Sequence, residues 1–171
     1  LVATASSRPV RTLTFGLETR DLPFFTERMM ALDSAYFHPV EWSGTMPMMN
    51  WATSGAQARW FVRDAASGDE NGEIRWRFRQ GDVVRLRLVN QRNSIHAMQH
   101  PIHVHGQRFL VLAVNGVARS VRAWKDTALL PAGAAVDILV QFDNPGRWML
   151  HCHIAEHVES GMMMTFEVEE G

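Results

Sequence analysis

Six of the eight histidines in this 171-residue chain lie in two short segments, and the second segment also contains the one cysteine. Residues 100–106 read HPIHVHG, and residues 151–162 read HCHIAEHVESGM. A buried imidazole costs free energy unless its ring nitrogens find partners, so core packing alone explains such a cluster poorly. Imidazole and thiolate are strong metal ligands. The two segments therefore predict metal binding by His100, His103, His105, His151, Cys152, His153, His157 and Met162.

The spacing within each segment sorts these side chains onto two faces, because successive side chains of a strand point in opposite directions. In an extended second segment, His151 and His153 share one face and Cys152 lies on the other. The first segment divides in the same way, into a pair and a single histidine: His103 with His105, and His100. Two such segments side by side predict two metal sites back to back, one with four imidazoles and one built around the cysteine.

The loop after Cys152 supplies two further ligands to the second site, His157 and Met162. Two imidazoles, one thiolate and a weak thioether form the ligand set of a blue-copper electron-transfer site. A structural zinc site takes four strong ligands, and zinc has no redox chemistry. The peptide bonds that join Cys152 to the histidines on either side also give an electron a short path between the two sites. The residues therefore favour a copper-dependent redox protein.

The two segments resemble the C-terminal copper motifs of the multicopper oxidases, the family of laccases, cuprous oxidases, ascorbate oxidase and ferroxidases. The family patterns HxxHxH and HCHxxxHxxxxM are matched at every ligand position. Supporting similarity lies in RQGDV at 79–83, WKDT at 124–127, LPAG at 130–133 and DNPG at 143–146. The resemblance implies an all-β, cupredoxin-like Greek-key sandwich or barrel, with a short helix near the type 1 copper loop.

The resemblance also assigns type 1, type 2 and type 3 copper to these residues. His100, Cys152 and His157 would hold the type 1 copper, with Met162 as its axial ligand. His103 would hold the type 2 copper. The type 3 pair would be held by His105, His151 and His153. Cys152, His151 and His153 would be the catalytic residues, since electrons pass through them to the trinuclear cluster. A phenolic or metal-ion substrate would be oxidised at the type 1 site, and O2 would be reduced to water at the cluster.

The histidine count limits what this chain can do alone. The family's trinuclear cluster takes eight histidines, four of them from an N-terminal domain with two HxH motifs. No HxH motif precedes residue 100 here, where the remaining histidines are His38 and His96. We therefore expect the chain to need an N-terminal cupredoxin domain, as a missing segment or a separate chain, and to be inactive in isolation.

Two further positions bear on the expected chemistry. Many bacterial members carry a glutamate, implicated in proton delivery, where this chain has Val158, and its nearest carboxylates are Glu156 and Glu159. Met162 stands where high-potential fungal laccases carry a non-coordinating residue. An axial thioether tends to lower the reduction potential, so we expect a low-to-moderate potential and easily oxidised phenols or metal ions as substrates.

The whole-chain properties are those of an ordinary globular protein. A formal net charge of −1 gives no reason to expect a nucleic-acid partner, and no apolar stretch reaches the ~20 residues that span a bilayer. The chain does not begin with Met, and residues 1–9 lack the pattern of a signal peptide. We expect a piece of a longer polypeptide or a processed chain, in a periplasmic or secreted protein whose signal lies elsewhere.

Hydrophobic periodicity predicts β structure through the second half of the chain. The predicted strands, bounded by Gly, Asn and Pro turn signals, are residues 74–79, 83–89, 109–114, 136–142, 148–153 and 163–168, with 11–17 as a further candidate. Arginines at 75, 77, 79, 85 and 87 are expected on a solvated face, the alternative being a surface that meets a partner domain. We predict one domain, with an N-terminal lead and early strands in 1–70 and the copper-binding cupredoxin core in 71–171.

Two other functions fit part of this pattern. A stand-alone blue-copper electron carrier would use only the type 1 ligands and would leave four histidines without a role. A copper storage or delivery domain would depend on methionine groups such as Met46, Met48 and Met49, whose thioethers suit Cu(I) but also fill irregular core gaps. The sequence favours an oxidoreductase of the multicopper oxidase class.

Overall fold

The computed structural model describes residues 10–21, 24, 25, 28, 57–92 and 98–171. The methionine group at 46–49, His38 and His96 lie outside these residues. The described part includes β1 (Val10–Thr19), β2 (Ala58–Asp64), a 3-10 helix (Asn71–Glu73), β3 (Trp76–Arg79), β4 (Asp82–Asn90), β5 (His100–Val104), β6 (Arg108–Val114), β7 (Val117–Ala118), β8 (Thr127–Leu130), β9 (Ala135–Phe142), β10 (Gly146–Cys152), α1 (Ala155–Glu159) and β11 (Met163–Glu169). Every segment predicted as a strand overlaps one of these strands.

The described strands form two sheets that enclose one main core. One sheet has the order β2-β1-β4-β9-β6-β7, and the other has the order β3-β11-β10-β5-β8. Most neighbours are antiparallel, but β1 runs parallel to β4 and β3 runs parallel to β11. Buried side chains from both sheets belong to the same hydrophobic cluster, so the layers are held together by apolar burial between them.

The alternation predicted for β4 is present, and it divides the arginines into two groups. Val84, Leu86 and Leu88 face the core, while the intervening arginines point away from it. The arginines of β3 are exposed, as predicted for a solvated face. On β4, Arg87 is also exposed, whereas Arg85 is half-buried, and both hydrogen-bond the carboxylate of the buried Asp137 on β9.

The early strands β1 and β2 belong to the same sheet as β4, β6, β7 and β9. β1 lies between β2 and β4, and β2 pairs with β1 over residues 58–64. The division into a lead over 1–70 and a core over 71–171 stays a prediction. Among the described residues, no helix has the length and apolar character needed to cross a membrane.

Candidate metal centre

Two neighbouring strands, β5 and β10, carry four of the predicted ligands, and the residues that follow each strand carry the others. They pair antiparallel, with His151 opposite His103 and Cys152 opposite Ile102. Because facing residues in a register project to the same side of a sheet, both members of each pair share a face. Cys152 and Ile102 point into the core, where both are buried. The two faces predicted from the sequence spacing are therefore present in the structure.

On the inner face, three buried donor groups meet. His100 Nδ1 and His157 Nδ1 are 3.2 Å apart, and the Cys152 Sγ atom lies 3.7 Å from the first and 3.5 Å from the second. All three side chains are buried, and their ligand atoms lie within 4.8 Å of one another.

This triangle has the size that a trigonal metal site requires. Metal–nitrogen bonds of about 2.0 Å and metal–sulfur bonds of about 2.3 Å, at 120° to one another, place the nitrogens about 3.5 Å apart and each nitrogen about 3.7 Å from the sulfur. A trigonal His2Cys set is the arrangement found in blue-copper sites. The residues present therefore fit a copper ion without rearrangement of the fold.

Backbone hydrogen bonds hold the loop after Cys152, and they bring the predicted ligands His157 and Met162 back to the end of β10. α1 places His157 in the core, which confirms the predicted short helix in this loop. The N–H of Met162 donates to the carbonyl of His157 at 2.8 Å, and the N–H of Cys152 donates to the carbonyl of Met162 at 3.2 Å. Met162 is fully buried beside these groups, and its axial role stays a prediction.

Burial sets the protonation of the inner group. Loss of solvent lowers the pKa of His100 to about 3, so this imidazole is neutral at every physiological pH. Burial also raises the pKa of the Cys152 thiol to about 11, against a smaller opposing effect of the Ile154 backbone N–H. Without a metal, the His100 ring is therefore neutral, and the Cys152 thiol must lose its proton before its sulfur can act as a thiolate ligand.

On the outer face, four imidazoles meet, as the spacing predicted. His103 lies 4.6 Å from His105, 5.6 Å from His151 and 5.8 Å from His153, measured between ring centroids. The His105 and His151 rings are 5.0 Å apart, and those of His151 and His153 are 5.6 Å apart. The rings share a small region of the surface, where His153 is exposed and His151 is buried.

Fixed acceptors orient two of these rings. The Nδ1 atom of His103 lies 3.1 Å from the Asp126 carbonyl and 2.9 Å from Thr127 Oγ1. The Nδ1 atom of His151 lies 2.6 Å from the Cys152 carbonyl. A carbonyl can only accept, so each Nδ1 donates, and Nε2 keeps the lone pair that binds a metal. Burial, with the neighbouring imidazoles of His103, His151 and His153, lowers the pKa of His105.

A tight turn after β5 positions His105. Gly106 has φ of 67°, in the left-handed region, and a Cβ there would overlap the indole of Trp148. The Trp148 Nε1–H donates to the carbonyl of Asn144 at 2.9 Å, which fixes the indole against the glycine. This position therefore favours glycine for both its backbone conformation and its lack of a side chain.

The structure adds residues that the spacing argument missed. The indole of Trp60 on β2 stacks on the His157 imidazole, and Thr127 contacts His103. Thr127 lies in the WKDT segment, which was noted only as a similarity to the family. β2 gave no strand signal because nearly all of its side chains are buried, so it lacks the alternation that indicates a strand.

Comparisons of the chain with known proteins point to the same family that the histidine and cysteine motifs resemble. A family model described as multicopper oxidase matches residues 42–171. The multicopper oxidase Mco of Staphylococcus epidermidis is 42% identical over 83 residues, which cover 47% of this chain and 19% of that protein. Laccase-3 of Botryotinia fuckeliana is 38% identical over 79 residues, which cover 40% of this chain and 17% of that laccase. The matched segments thus span about a fifth of the length of these relatives.

Solved structures support the fold. A multicopper oxidase from Pediococcus acidilactici matches with a TM-score of 0.55 and 32% identity, over 64% of this chain and 24% of that one. One from Campylobacter jejuni, described as a metallo-oxidase, matches in fold with a TM-score of 0.61 and 19% identity, over 95% of this chain and 30% of that one. The predicted all-β, cupredoxin-like fold is confirmed. Because the family model extends over more than half of its length, this chain belongs to the multicopper oxidase family.

Proposed function

We propose that this chain is the type 1 copper domain of a copper-dependent oxidoreductase and also supplies half of its trinuclear cluster. The proposed type 1 ligands are His100, Cys152 and His157, with Met162 axial. The proposed type 2 ligand is His103, and the proposed type 3 ligands are His105, His151 and His153. Copper bound there would supply one-electron chemistry that oxidises a phenolic or metal-ion substrate and reduces O2 to water.

The observation that carries this proposal is the back-to-back placement of the two donor groups around Cys152. Its Sγ atom lies among the buried donors, while His151 and His153, joined to it by peptide bonds, belong to the outer imidazole group. The chain's own covalent structure therefore connects the two groups, with no gap between side chains for an electron to cross. This is the role proposed for Cys152, His151 and His153.

The outer group supplies four of the eight imidazoles that the family's cluster takes. We infer that an N-terminal cupredoxin domain, in the same precursor or as a second chain, supplies the other four. The relatives are longer than this chain, which leaves room for such a domain in them. A periplasmic or secreted location is part of the proposal, as is the absence of oxygen reduction by this chain alone.

The four-imidazole group separates this function from its main alternative. A stand-alone blue-copper electron carrier needs His100, Cys152 and His157, but gains nothing from four converging rings on the opposite face. Copper storage or delivery would depend on the methionines at 46–49, which lie outside the described residues. The outer group therefore favours the oxidase over the electron carrier.

Copper loading of the purified chain tests the proposal. We expect an intense absorption band in the red from the thiolate, lost in Cys152→Ser and kept in His153→Gln. His153→Gln should instead weaken copper binding at the outer group. A chain that binds zinc and develops no red band with copper would contradict the type 1 assignment.

Oxygen consumption tests the inferred partner. We expect none from the copper-loaded chain with a hydroquinone as reductant, and consumption once an N-terminal cupredoxin domain with two HxH motifs is supplied in trans or by fusion. Loss of that gained activity in His153→Gln is expected. Oxygen reduction to water by the chain alone would overturn the claim that its cluster is incomplete.

A further inference from the structure

Trp60 lies in direct contact with two of the three inner donors, although it comes from the other sheet. Its indole stacks on the His157 imidazole with ring centroids 3.8 Å apart and an interplanar angle of 26°. The same indole meets His100 edge-on, with centroids 5.4 Å apart and an angle of 77°. It is 4% exposed, so the contact excludes solvent from this side of both imidazoles.

Hydrogen bonds tie the backbone around Trp60 to the metal-binding loop. The Trp60 N–H donates to Ser160 Oγ at 3.1 Å, and the Ser160 hydroxyl donates to the Ala58 carbonyl at 3.3 Å. Ser160 follows α1 and lies two residues before Met162. The Trp60–Ser160 hydrogen bond joins residues 100 positions apart in the sequence, and it fixes the position of the indole relative to His157.

A second hydrogen bond holds the same edge of β2. The Val62 N–H donates to Asn71 Oδ1 at 2.8 Å. Asn71 also lies against Gly161, where φ is +107° and a Cβ would crowd the Asn71 amide. Since β1 occupies the other edge of β2, both edges of the strand that carries Trp60 are held.

We propose that Trp60 is a positioning residue of the type 1 centre, whose indole fixes the ring planes of His157 and His100 so that both Nδ1 atoms face Cys152 Sγ. The inference rests on the proposed type 1 site. Aromatic pairs in stacked and edge-to-face arrangements have specific geometries, so the indole restricts rotation of the His157 ring about its Cβ–Cγ bond. It also keeps water out, and the polarity around a metal site helps to set its reduction potential.

Two substitutions at Trp60 separate ring positioning from mere space filling. Trp60→Phe keeps an aromatic face against His157, whereas Trp60→Leu keeps an apolar side chain without one. In Trp60→Leu we expect a mobile His157 ring and entry of water, which favours the more highly charged Cu(II) state. The reduction potential of the copper-loaded chain should then fall, and its EPR spectrum should show a mixture of species. Trp60→Phe should stay near the wild type in both.

Trp76→Phe is the matched control for loss of a buried indole. Trp76 is 5% exposed, and its Nε1–H donates to Asp64 at 2.8 Å, a contact that involves none of the three inner donors. Its removal should lower the stability of the chain while leaving the reduction potential and the EPR spectrum unchanged. Equal potentials in the wild type, Trp60→Leu and Trp76→Phe would overturn the proposal.

NMR of the metal-free wild-type chain provides a test that needs neither copper nor a folded variant. We expect nuclear Overhauser effects between the Trp60 indole and the His157 ring protons, and an upfield ring-current shift of those protons. Their absence in the folded chain would overturn the positioning role. A wild type that shows these signals but no type 1 spectrum with copper would instead contradict the proposed function, so the two failures are distinguishable.

Discussion

The Nε2 atoms of His105 and His151 face each other at 2.9 Å, although the two residues lie 46 positions apart in the sequence. His151 Nδ1 donates to the Cys152 carbonyl, so a neutral His151 offers Nε2 only as an acceptor. His105 must then donate from its own Nε2. Burial and the surrounding imidazoles lower the pKa of His105, which favours the neutral form of that ring.

The contact predicts the tautomers of the metal-free chain at neutral pH. We expect His151 to carry its proton on Nδ1 and His105 on Nε2, and nitrogen-15 NMR of the imidazole rings measures both. His151→Ala should release His105 into a mixture of tautomers, while His103 stays protonated on Nδ1 through Asp126 and Thr127. Detection of the Nε2–H form of His151 in the wild type would contradict the structure.

Thr127 provides a second prediction, on the orientation of His103. Its Oγ1 accepts from His103 Nδ1 at 2.9 Å and donates to the Asp126 carboxylate at 3.0 Å. Thr127→Val removes this acceptor and leaves only the Asp126 carbonyl. Because outer-shell hydrogen bonds orient metal-binding histidines, we expect the affinity of the outer group for copper to fall by about 10-fold or more.

Thr127→Ser should keep that affinity, since it keeps the hydroxyl. The measurement is a copper titration in a Cys152→Ser background, where the thiolate site cannot contribute. Equal affinities for the valine and serine variants would show that the Asp126 carbonyl orients His103 without help from Thr127.

Local patterns predicted much of this site, because strand alternation acts within a few residues. The opposite faces of Cys152 and His151, and the short helix that carries His157, followed from spacing and from the family resemblance. Trp60 could not be placed in this way, since its partner Ser160 is 100 residues away and the burial of β2 hides its periodicity. The pairing of Arg87 was hidden for the same reason, because its partner Asp137 lies 50 residues along the chain.

The ion pairs of Asp137 predict an acid-sensitive contribution to stability. Burial alone would raise the pKa of Asp137, but hydrogen bonds from Arg87 and Arg85 more than offset this and lower the pKa below its usual value. A carboxyl whose pKa is lower in the folded state contributes stability above its unfolded pKa, and that contribution is lost as the pH falls through the folded pKa. The contribution is therefore complete at pH 7 and declines below about pH 4.

Asp137→Asn tests this contribution. We expect it to lower the free energy of unfolding by roughly 1–3 kcal/mol at pH 7, because two arginines lose a charged acceptor. Urea unfolding should show the difference from the wild type narrowing as the pH falls below 4. The control is Asp143→Asn. Asp143 forms an exposed ion pair with Arg108 at 3.8 Å, so little change in the free energy of unfolding is expected. A difference for Asp137→Asn that is independent of pH would argue against the ionic origin.

A pair of glycines separates backbone strain from side-chain overlap. Gly106 and Gly116 have φ of 67° and 78°, so an alanine at either position meets the left-handed region. That strain costs about 1–2 kcal/mol. Gly116 has open space where a Cβ would stand, whereas Gly106 has the indole of Trp148. Overpacking in a tight contact adds about 1–3 kcal/mol, so Gly106→Ala should lower the free energy of unfolding by that much more than Gly116→Ala.

The same pair links this packing to the outer imidazole group. Trp148 is held by the Asn144 carbonyl, so relief of the overlap must come partly from movement of the turn that carries His105. We therefore expect Gly106→Ala to weaken the His105–His151 contact, seen as a mixed His105 tautomer by nitrogen-15 NMR, while Gly116→Ala leaves that tautomer unchanged. Equal losses in the free energy of unfolding for both variants, with an unchanged His105 tautomer, would show that the indole moves and the turn does not. Gly106 would then be required by its backbone conformation alone.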